Sequence, residues 1–543
     1  MPIERNASHP VGHVESALSP NLSRRRQVRK LSACSRGGIV VSQNRTASVM
    51  GARVLKAGGH AVDAAVATAF ALGAVEPWMS GIGGVGGMLV HQAAADATVG
   101  FDFGPRAPIG LDPSDFALTT ERDHDNLFAW PMVEGRVNAV GAKAVAAPTE
   151  PAGLAAAHKR FGRMRWRDLV APAAKLAEDG LAIDWPATLA VACAMADLVR
   201  NPGARARFLP GGHPPVPAHA VDPHPVKRLP MPDLARTLRA IAEEGADVLY
   251  TGPVARSIAE DIAAMGGYLS VEDLAAVRPR EVEPLAFAYG KRSIHVLPEL
   301  NGGPTLCVAF EDYKKRGAQP KGAPDAETFC SYARALRAGW KDRFERMGDA
   351  GERGVPTSTT HIAIVDRNGN IVTLTQTLLS LFGARIVLPG TGILMNNAIN
   401  WFDPVPGGVN SIAPSRRGLA NYTPAVMRGD DATIGIGGSG GRRIISAVFQ
   451  LLAMSADFGF NLEQALHQPR IDVSGSDIVV ADRRMPPEMI AALAAEFTIV
   501  LAEPVEYPFP YTIASAVRRV GEMNEGATEP QHPWSEAVSE DEV

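Results

Sequence analysis

Cysteine is scarce in this chain of 543 residues: four are present, at 34, 193, 307 and 330, far apart and without a CxxC pair or a Cys/His cluster. That spacing argues against a disulfide framework and a zinc site, and it fits a reducing compartment. Long apolar runs are missing too. The longest, "AAVATAFALGAV" over 64–75, is closed by Asp63 and Glu76 and is shorter than the ~20 residues a bilayer span needs, so it reads as a buried helix. No apolar h-region adjoins "LSAC" (31–34) or the "RRR" of "SRRRQVRK", so neither a lipoprotein box nor a twin-arginine signal is expected, and the expected location is cytoplasmic. No charge of one sign dominates: the net charge of -4 points to no nucleic-acid or membrane partner. The two ends differ, however. Residues 1–36 are polar and basic, and from Glu522 onward there are seven acidic residues and no Lys or Arg. Both read as solvated tails, the first disordered.

What is present is an ordered chain from "GGIVVSQ" (37–43), the expected first strand. Two helices follow, broken at Gly58-Gly59, the second apolar nearly all round as a helix inside a core should be. "ATVGFDFGPRAP" reads as a strand and turn. From about 150 to 350 helical patterns dominate, several ending in Gly. Strands return at "THIAIVD" and "NIVTLTQT", joined by "DRNGN", whose Asn-Gly marks a hairpin. A further strand, "ATIGI" (432–436), leads into "GGSGG" and a helix. There is no internal repeat or long linker, so the helical middle is expected to wrap one strand-bearing core.

Two glycine runs fit GxGxxG. "GIGGVG" (81–86) follows a helix and precedes a strand, the reverse of the order that a dinucleotide turn requires. "GIGGSG" (435–440) has a strand before it, a helix after it, and Asp457 near the distance of a ribose contact, so dinucleotide binding is one reading. In the other, backbone N–H groups at Gly440 and Gly441 face an oxyanion at a helix start.

"PTSTTHIAIVDRNGN" (356–370) gathers three threonines ahead of that hairpin. Such hydroxyls commonly bond a loop backbone. A threonine freed by chain cleavage at the start of a strand instead carries a nucleophilic hydroxyl and an α-amine, with an ordinary pKa of about 8, on one residue. Its branched Cβ restricts χ1 and so the direction of the hydroxyl.

Several separate motifs between about 37 and 530 resemble the γ-glutamyltransferases, or glutathione hydrolases, which are N-terminal nucleophile hydrolases. "AGGHAVDAAVATAFALGAVEPWMSGIGGVGGMLV" (57–90) is similar to the family's N-terminal signature, with His60 for a common Asn. "PTEPAGLAAAHKRFG", "DLARTLRAIAEEGADVLYTGPVA" and "GGYLSVEDLAAV" follow in the family's order, and "TTHIAIVDRNGNIVTLTQT" is similar to the start of its small subunit. The resemblance implies an α+β fold, a four-layer αββα sandwich with a helical subregion in the large chain. It implies a processing bond between Ser358 and Thr359, leaving a large chain 37–358 behind the basic tail and a small chain 359–543. Thr359 is then the nucleophile, Thr377 its hydrogen-bonding partner, and Gly440 and Gly441 the oxyanion donors, while Thr357 and Thr360 are structural. The substrate is a small-molecule amide, the acyl acceptor is water or an amine, the two chains stay associated, and no metal or cofactor is required.

Recognition of a γ-glutamyl group is where the chain departs from the family. The family's "DFRE" reads "DFGP", with Gly104 in place of the Arg that takes the substrate carboxylate; Arg106 lies two residues on. The Asp of "NNxxDDF" falls on Trp401, the Asn after "TxT" on Leu379, and a Ser-Ser pair on Ala420-Asn421. These positions imply an acyl pocket diverged from γ-glutamyl recognition, less charged and partly aromatic. A catalytically inactive scaffold is the alternative reading, beside a dinucleotide enzyme using 435–440.

Overall fold

The computed structural model describes residues 28–122, 130–217, 226–317, 322–347, 358–506 and 511–543. Fourteen strands make its centre: β1 (Ala33–Ser35), β2 (Ile39–Ser42), β3 (Val85–Gln92), β4 (Ala97–Phe103), β5 (Arg280–Val282), β6 (Leu285–Tyr289), β7 (Arg292–Val296), β8 (Ser358–Val365), β9 (Ile371–Leu379), β10 (Ala425–Arg428), β11 (Thr433–Ser439), β12 (Ile513–Val520), β13 (Met523–Thr528) and β14 (Glu536–Ser539). They form two seven-stranded antiparallel sheets, ordered β14-β2-β8-β9-β3-β4-β5 and β1-β13-β12-β11-β10-β7-β6.

Period-2 alternation sorts their side chains into layers. On β8, Ile362 and Ile364 face helices α1 (Arg45–Lys56), α2 (Ala61–Val75), α3 (Glu150–Phe161), α4 (Trp166–Asp179) and α5 (Trp185–Leu198) in one apolar cluster. Ala363 and Val365 face the other way, into the seam between the sheets, where they join Val426 of β10 and Val517 of β12. Ile434 and Ile436 of β11 pack outward against α6 (Gly303–Lys315), α7 (Ala326–Met347) and α8 (Arg443–Asp457). The result is the expected four-layer αββα sandwich.

Local chemistry explains the elements nearest the centre. His60 caps α2: its Nδ1 accepts the Val62 N–H at 3.1 Å, and Asp63 accepts the His60 N–H at 2.8 Å. The β8–β9 turn is tied by Asp366, whose carboxylate accepts the Asn368 and Asn370 N–H groups at 2.9 and 3.0 Å, with Gly369 at φ +85°.

Three expectations need correcting. The acidic C-terminal segment is not a solvated tail but supplies β13 and β14: Glu525 accepts the Leu462 N–H at 3.1 Å, and Glu529 pairs with Arg470 inside the protein. Order in the basic segment precedes residue 37, since β1 begins at 33 and Lys30 Nζ donates to Ser535 O at 2.7 Å. The rest of that segment, residues 1–27, lies outside the described residues. Finally, the helical middle also contributes β5, β6 and β7 to the two sheets.

Candidate active site

Thr359 lies where β8 and β9 pair out of register. Ser358 pairs with Leu379 but Thr360 with Gln376, so Thr377 and Leu378 together face Thr359 across a bulge. The bulge turns Thr359 Oγ1 to 3.2 Å from Thr377 Oγ1, and the Leu379 N–H donates to Thr377 Oγ1 at 2.8 Å. Leu379 completes the turn at φ +81°, a left-handed conformation that costs a leucine about 1–2 kcal/mol. Both threonines are buried, Thr359 at 4% exposure. The other glycine run lies behind them: a Cβ on Gly84 would stand 2.6 Å from Thr377 O, and one on Gly86 2.4 Å from Thr375 O. Those glycines allow close approach to the strand that carries Thr377.

From the opposite sheet, Ser439 at the end of β11 donates its hydroxyl to Thr359 O. Gly440 and Gly441 follow at φ +150° and +62°, and their carbonyls accept the Arg443 and Ile444 N–H groups that start α8. The structure thus brings Thr359, Thr377 and the two glycines together at the seam of the sheets. Ser439 was not singled out from the sequence; its signal was a lone hydroxyl between glycine pairs, ahead of the helix.

His361, two residues after Thr359, is fully buried, and burial pushes its imidazole down to about 3. It packs against Gly437, where a Cβ would meet the ring at 2.2 Å, and Nδ1 bonds Thr375 Oγ1 at 2.8 Å. Such a weak base is unsuited to proton transfer near neutral pH. Of the remaining threonines, Thr360 is buried beside Glu76, and Thr357 lies outside the described residues.

Gly440 opens on a cleft of about 600 Å³ whose walls include Glu76, Trp78, Trp185, Ser380, Arg443 and Trp534. Glu76, read from the sequence only as the end of an apolar helix, is 3% exposed; burial first, then the nearby Asp184 carboxylate, raises its pKa well above the ordinary 4.5. Folding therefore retains a proton here that the unfolded chain releases above about pH 4.5, and stability falls as pH rises. Glu76→Gln removes this effect. The variant is expected to exceed the parent in urea stability at pH 8, with a margin that grows by up to about 1.4 kcal/mol per pH unit above pH 4.5; a margin independent of pH would refute this.

The positions carried over for the acyl group are placed differently. Leu379, Trp401, Ala420 and Tyr422 belong to the apolar seam between the sheets, with the Trp401 and Tyr422 rings 5.9 Å apart and Trp401 3% exposed. Trp401 is a core aromatic. Asn421 is buried, and its Oδ1 accepts from Arg343 at 2.9 Å. Arg106 is exposed, its backbone bridges to Arg417, and it is not among the residues lining the cleft. A Cβ on Gly104 would lie 2.9 Å from Tyr422 Oη, so the phenol fills the space an arginine there would enter.

The dinucleotide reading fails on geometry. Gly435, Gly437 and Gly438 lie inside β11, an antiparallel strand, where Cβ atoms would strike Ile371, His361 and Thr512. They serve sheet-to-sheet approach and form no phosphate loop. Asp457 is at the far end of α8, held at 2.8 Å by the Tyr289 hydroxyl.

Comparison with known proteins shows the family of the chain. The gamma-glutamyltranspeptidase family model matches residues 47–358 and 351–538. The chain is 33% identical over 507 residues to the acylase ACY 1 proenzyme of Pseudomonas sp. (strain V22), covering 86% of this chain and 88% of that one. It is 29% identical over 513 residues to the glutathione hydrolase proenzyme of Bacillus subtilis (strain 168), covering 84% of each. The crystal structure of cephalosporin acylase from Bacillus halodurans shares the fold, with a TM-score of 0.81 at 24% identity over 95% of this chain and 98% of that one. With the motif order, the sandwich and these matches in agreement, the chain belongs to the gamma-glutamyltranspeptidase family, whose members include glutathione hydrolase and acylase proenzymes.

Proposed function

We propose that this chain is a self-cleaving threonine amide hydrolase and acyltransferase whose acyl pocket has diverged from γ-glutamyl recognition. The observation that carries the reading is the Thr359–Thr377 hydroxyl pair, 3.2 Å apart at the strand bulge, with Ser439, the residue before Gly440, hydrogen-bonded to Thr359 O from the other sheet. In the first stage Thr359 Oγ1 attacks the Ser358 carbonyl carbon. The C–N bond breaks, an ester to Oγ1 replaces it, and the nitrogen takes up the proton to become a free α-amine. Water opens the ester, leaving chains 1–358 and 359–543. In the second stage that amine accepts the Thr359 hydroxyl proton as Oγ1 attacks a substrate amide, and the Gly440 and Gly441 N–H groups hold the oxyanion. The amine half leaves protonated, and water or an amine takes the acyl group from Oγ1. Thr377 fixes the direction of the attacking oxygen; His361 takes no part.

Intact-mass spectrometry and N-terminal sequencing after incubation at neutral pH test this reading. Two fragments are expected, the smaller beginning at Thr359, together with turnover of simple acyl anilides at least equal to that of γ-glutamyl anilide. A chain that stays whole and inert favours the inactive scaffold.

Tyr422 sets a further expectation. Gly104→Arg overpacks against its Oη and lowers stability by about 2 kcal/mol. Gly104→Arg with Trp401→Asp, which also puts a carboxylate inside the apolar seam, is therefore expected to lose stability further and to gain no γ-glutamyl-anilide turnover. A gain in that turnover by the double variant would show that these positions reach the substrate.

A further inference from the structure

The proposed cleavage changes what holds Thr359. In the uncut chain two ladder pairs span it, Ser358 with Leu379 and Thr360 with Gln376, while the bulge leaves Thr359 itself without a paired residue. After the cut, Ser358 would end the other chain and Thr359 would become a strand terminus, where a ladder frays unless something ties it down. The strand on the other flank does not help, because the pairs of β2 with β8 begin at Ala363. A tie that the cut leaves intact is the Ser439 hydroxyl, which donates to Thr359 O from the facing sheet. That donor stands on a rigid element. Ser439 is 1% exposed, ends β11, and pairs with Ile513 of β12. Its own peptide runs on into Gly440, so one hydrogen bond sets the spacing between the backbone that carries the attacking oxygen and the turn that carries the oxyanion donor.

We propose that Ser439 is a positioning residue of the cut protein: it supplies at Thr359 the hydrogen bond that the bulged ladder does not, and so keeps the new N-terminus aligned with Gly440. It acts through the Thr359 carbonyl and not on the attacking oxygen. The inference rests on the reading of Thr359 as the nucleophile, and it adds to that reading a division of labour. Before the cut, peptide bonds on both sides hold Thr359; afterwards Ser439 takes over on the side that has been opened.

The experiment compares the parent, Ser439→Ala, Ser439→Thr and Ser515→Ala after incubation at neutral pH until each is cut, with the course of cutting followed by intact mass. Ser515→Ala is the control: it removes a buried hydroxyl from the neighbouring strand β12, where Oγ lies 3.3 Å from Thr528 Oγ1. Two quantities are read on each cut protein. One is kcat and KM for 4-nitroacetanilide. The other is the rate at which periodate, which splits the bond between the amine-bearing and hydroxyl-bearing carbons of a free N-terminal threonine, lowers the mass of the small chain. Ser439→Ala is expected to lose about 10- to 100-fold in kcat with KM changed by less than about threefold, the scale of a misplaced reacting group. Periodate should attack it about fivefold faster, as one hydrogen bond lost from a local opening implies. Its self-cleavage should slow far less than its turnover, a split that misfolding does not produce. Ser439→Thr keeps the hydroxyl and should restore both quantities, and Ser515→Ala should match the parent. Parent-like kcat and periodate rate in cut Ser439→Ala, equal losses in Ser515→Ala, or a threonine variant no better than alanine overturns the inference and leaves the threonine mechanism standing. If no variant turns over the anilide, the periodate rates decide. A parent that never cuts is a separate failure, which overturns Thr359 as the nucleophile and this inference with it.

Discussion

Thr359→Ala is expected to remain a single uncut chain and to lose amide hydrolysis by a factor on the order of 10⁴ to 10⁶ in kcat, the scale seen when an enzyme loses its nucleophile. The substitution removes one hydroxyl from a buried position, and the Thr377 hydroxyl still accepts the Leu379 N–H at 2.8 Å, so the fold should change little. Thr359→Ser supplies the contrast. It retains the attacking oxygen but loses the methyl group that limits χ1, so slow cleavage at the same bond is expected. Intact mass after equal incubations decides the matter: an alanine variant cut to give residue 359 as a new N-terminus would falsify Thr359 as its own activator.

Gly440→Ala should cost about 10² to 10³ in kcat, with a smaller change in KM, the range for loss of one oxyanion donor. At φ +150° a side chain is already strained, and the added Cβ would lie 3.1 Å from Thr512 Oγ1 and 3.2 Å from Thr512 Cα. Backbone fills one of those contacts, so the strand end has to move and carry the Gly440 N–H with it. Gly459→Ala is the control. It adds a Cβ at φ +67° with nothing within 4 Å, so it should lose about 1 kcal/mol of stability and keep its kcat. If both variants lose kcat equally, Gly440 is not a donor but a site of general strain.

Much of this architecture was legible because its signals are local. Asn368-Gly369 announced the hairpin that carries Thr359 and Thr377, and glycine stops bounded the helices. The strands that went unread are those whose meaning depends on distant partners. β6, "LAFAY", is only partly buried along its length; it pairs with β7 across a tight turn, and that hairpin joins the sheet only where β7 pairs with β10 at 425–428. The acidic residues near the C-terminus read as solvent-facing because their partners, Arg470 and the start of the 462–467 helix, lie about sixty residues earlier. At the site, the Thr359–Thr377 hydroxyl pair was expected from the family resemblance, whereas the cleft wall was not. Arg136 and Arg385, both on that wall, are 249 positions apart, and nothing in the intervening pattern brings them to one carboxylate, Asp197. Trp401 and Leu379 were recognisable as departures from the family, but that they close into one apolar seam with Tyr422 follows only from how the sheets stack.

The strand order has a consequence for the protein's lifetime. β2 comes from before the Ser358–Thr359 bond yet lies between β14 and β8, both from after it, and β1 and β7 flank the run of later strands in the other sheet. A chain that threads itself this way does so in one piece. Under the proposed cleavage the halves would remain laced together, but thermal unfolding would free two polypeptides that must find each other again before either sheet can close. Cleavage would then turn a reversible folding equilibrium into a one-way passage, with endurance set by the height of the unfolding barrier and concentration-dependent recovery after heating.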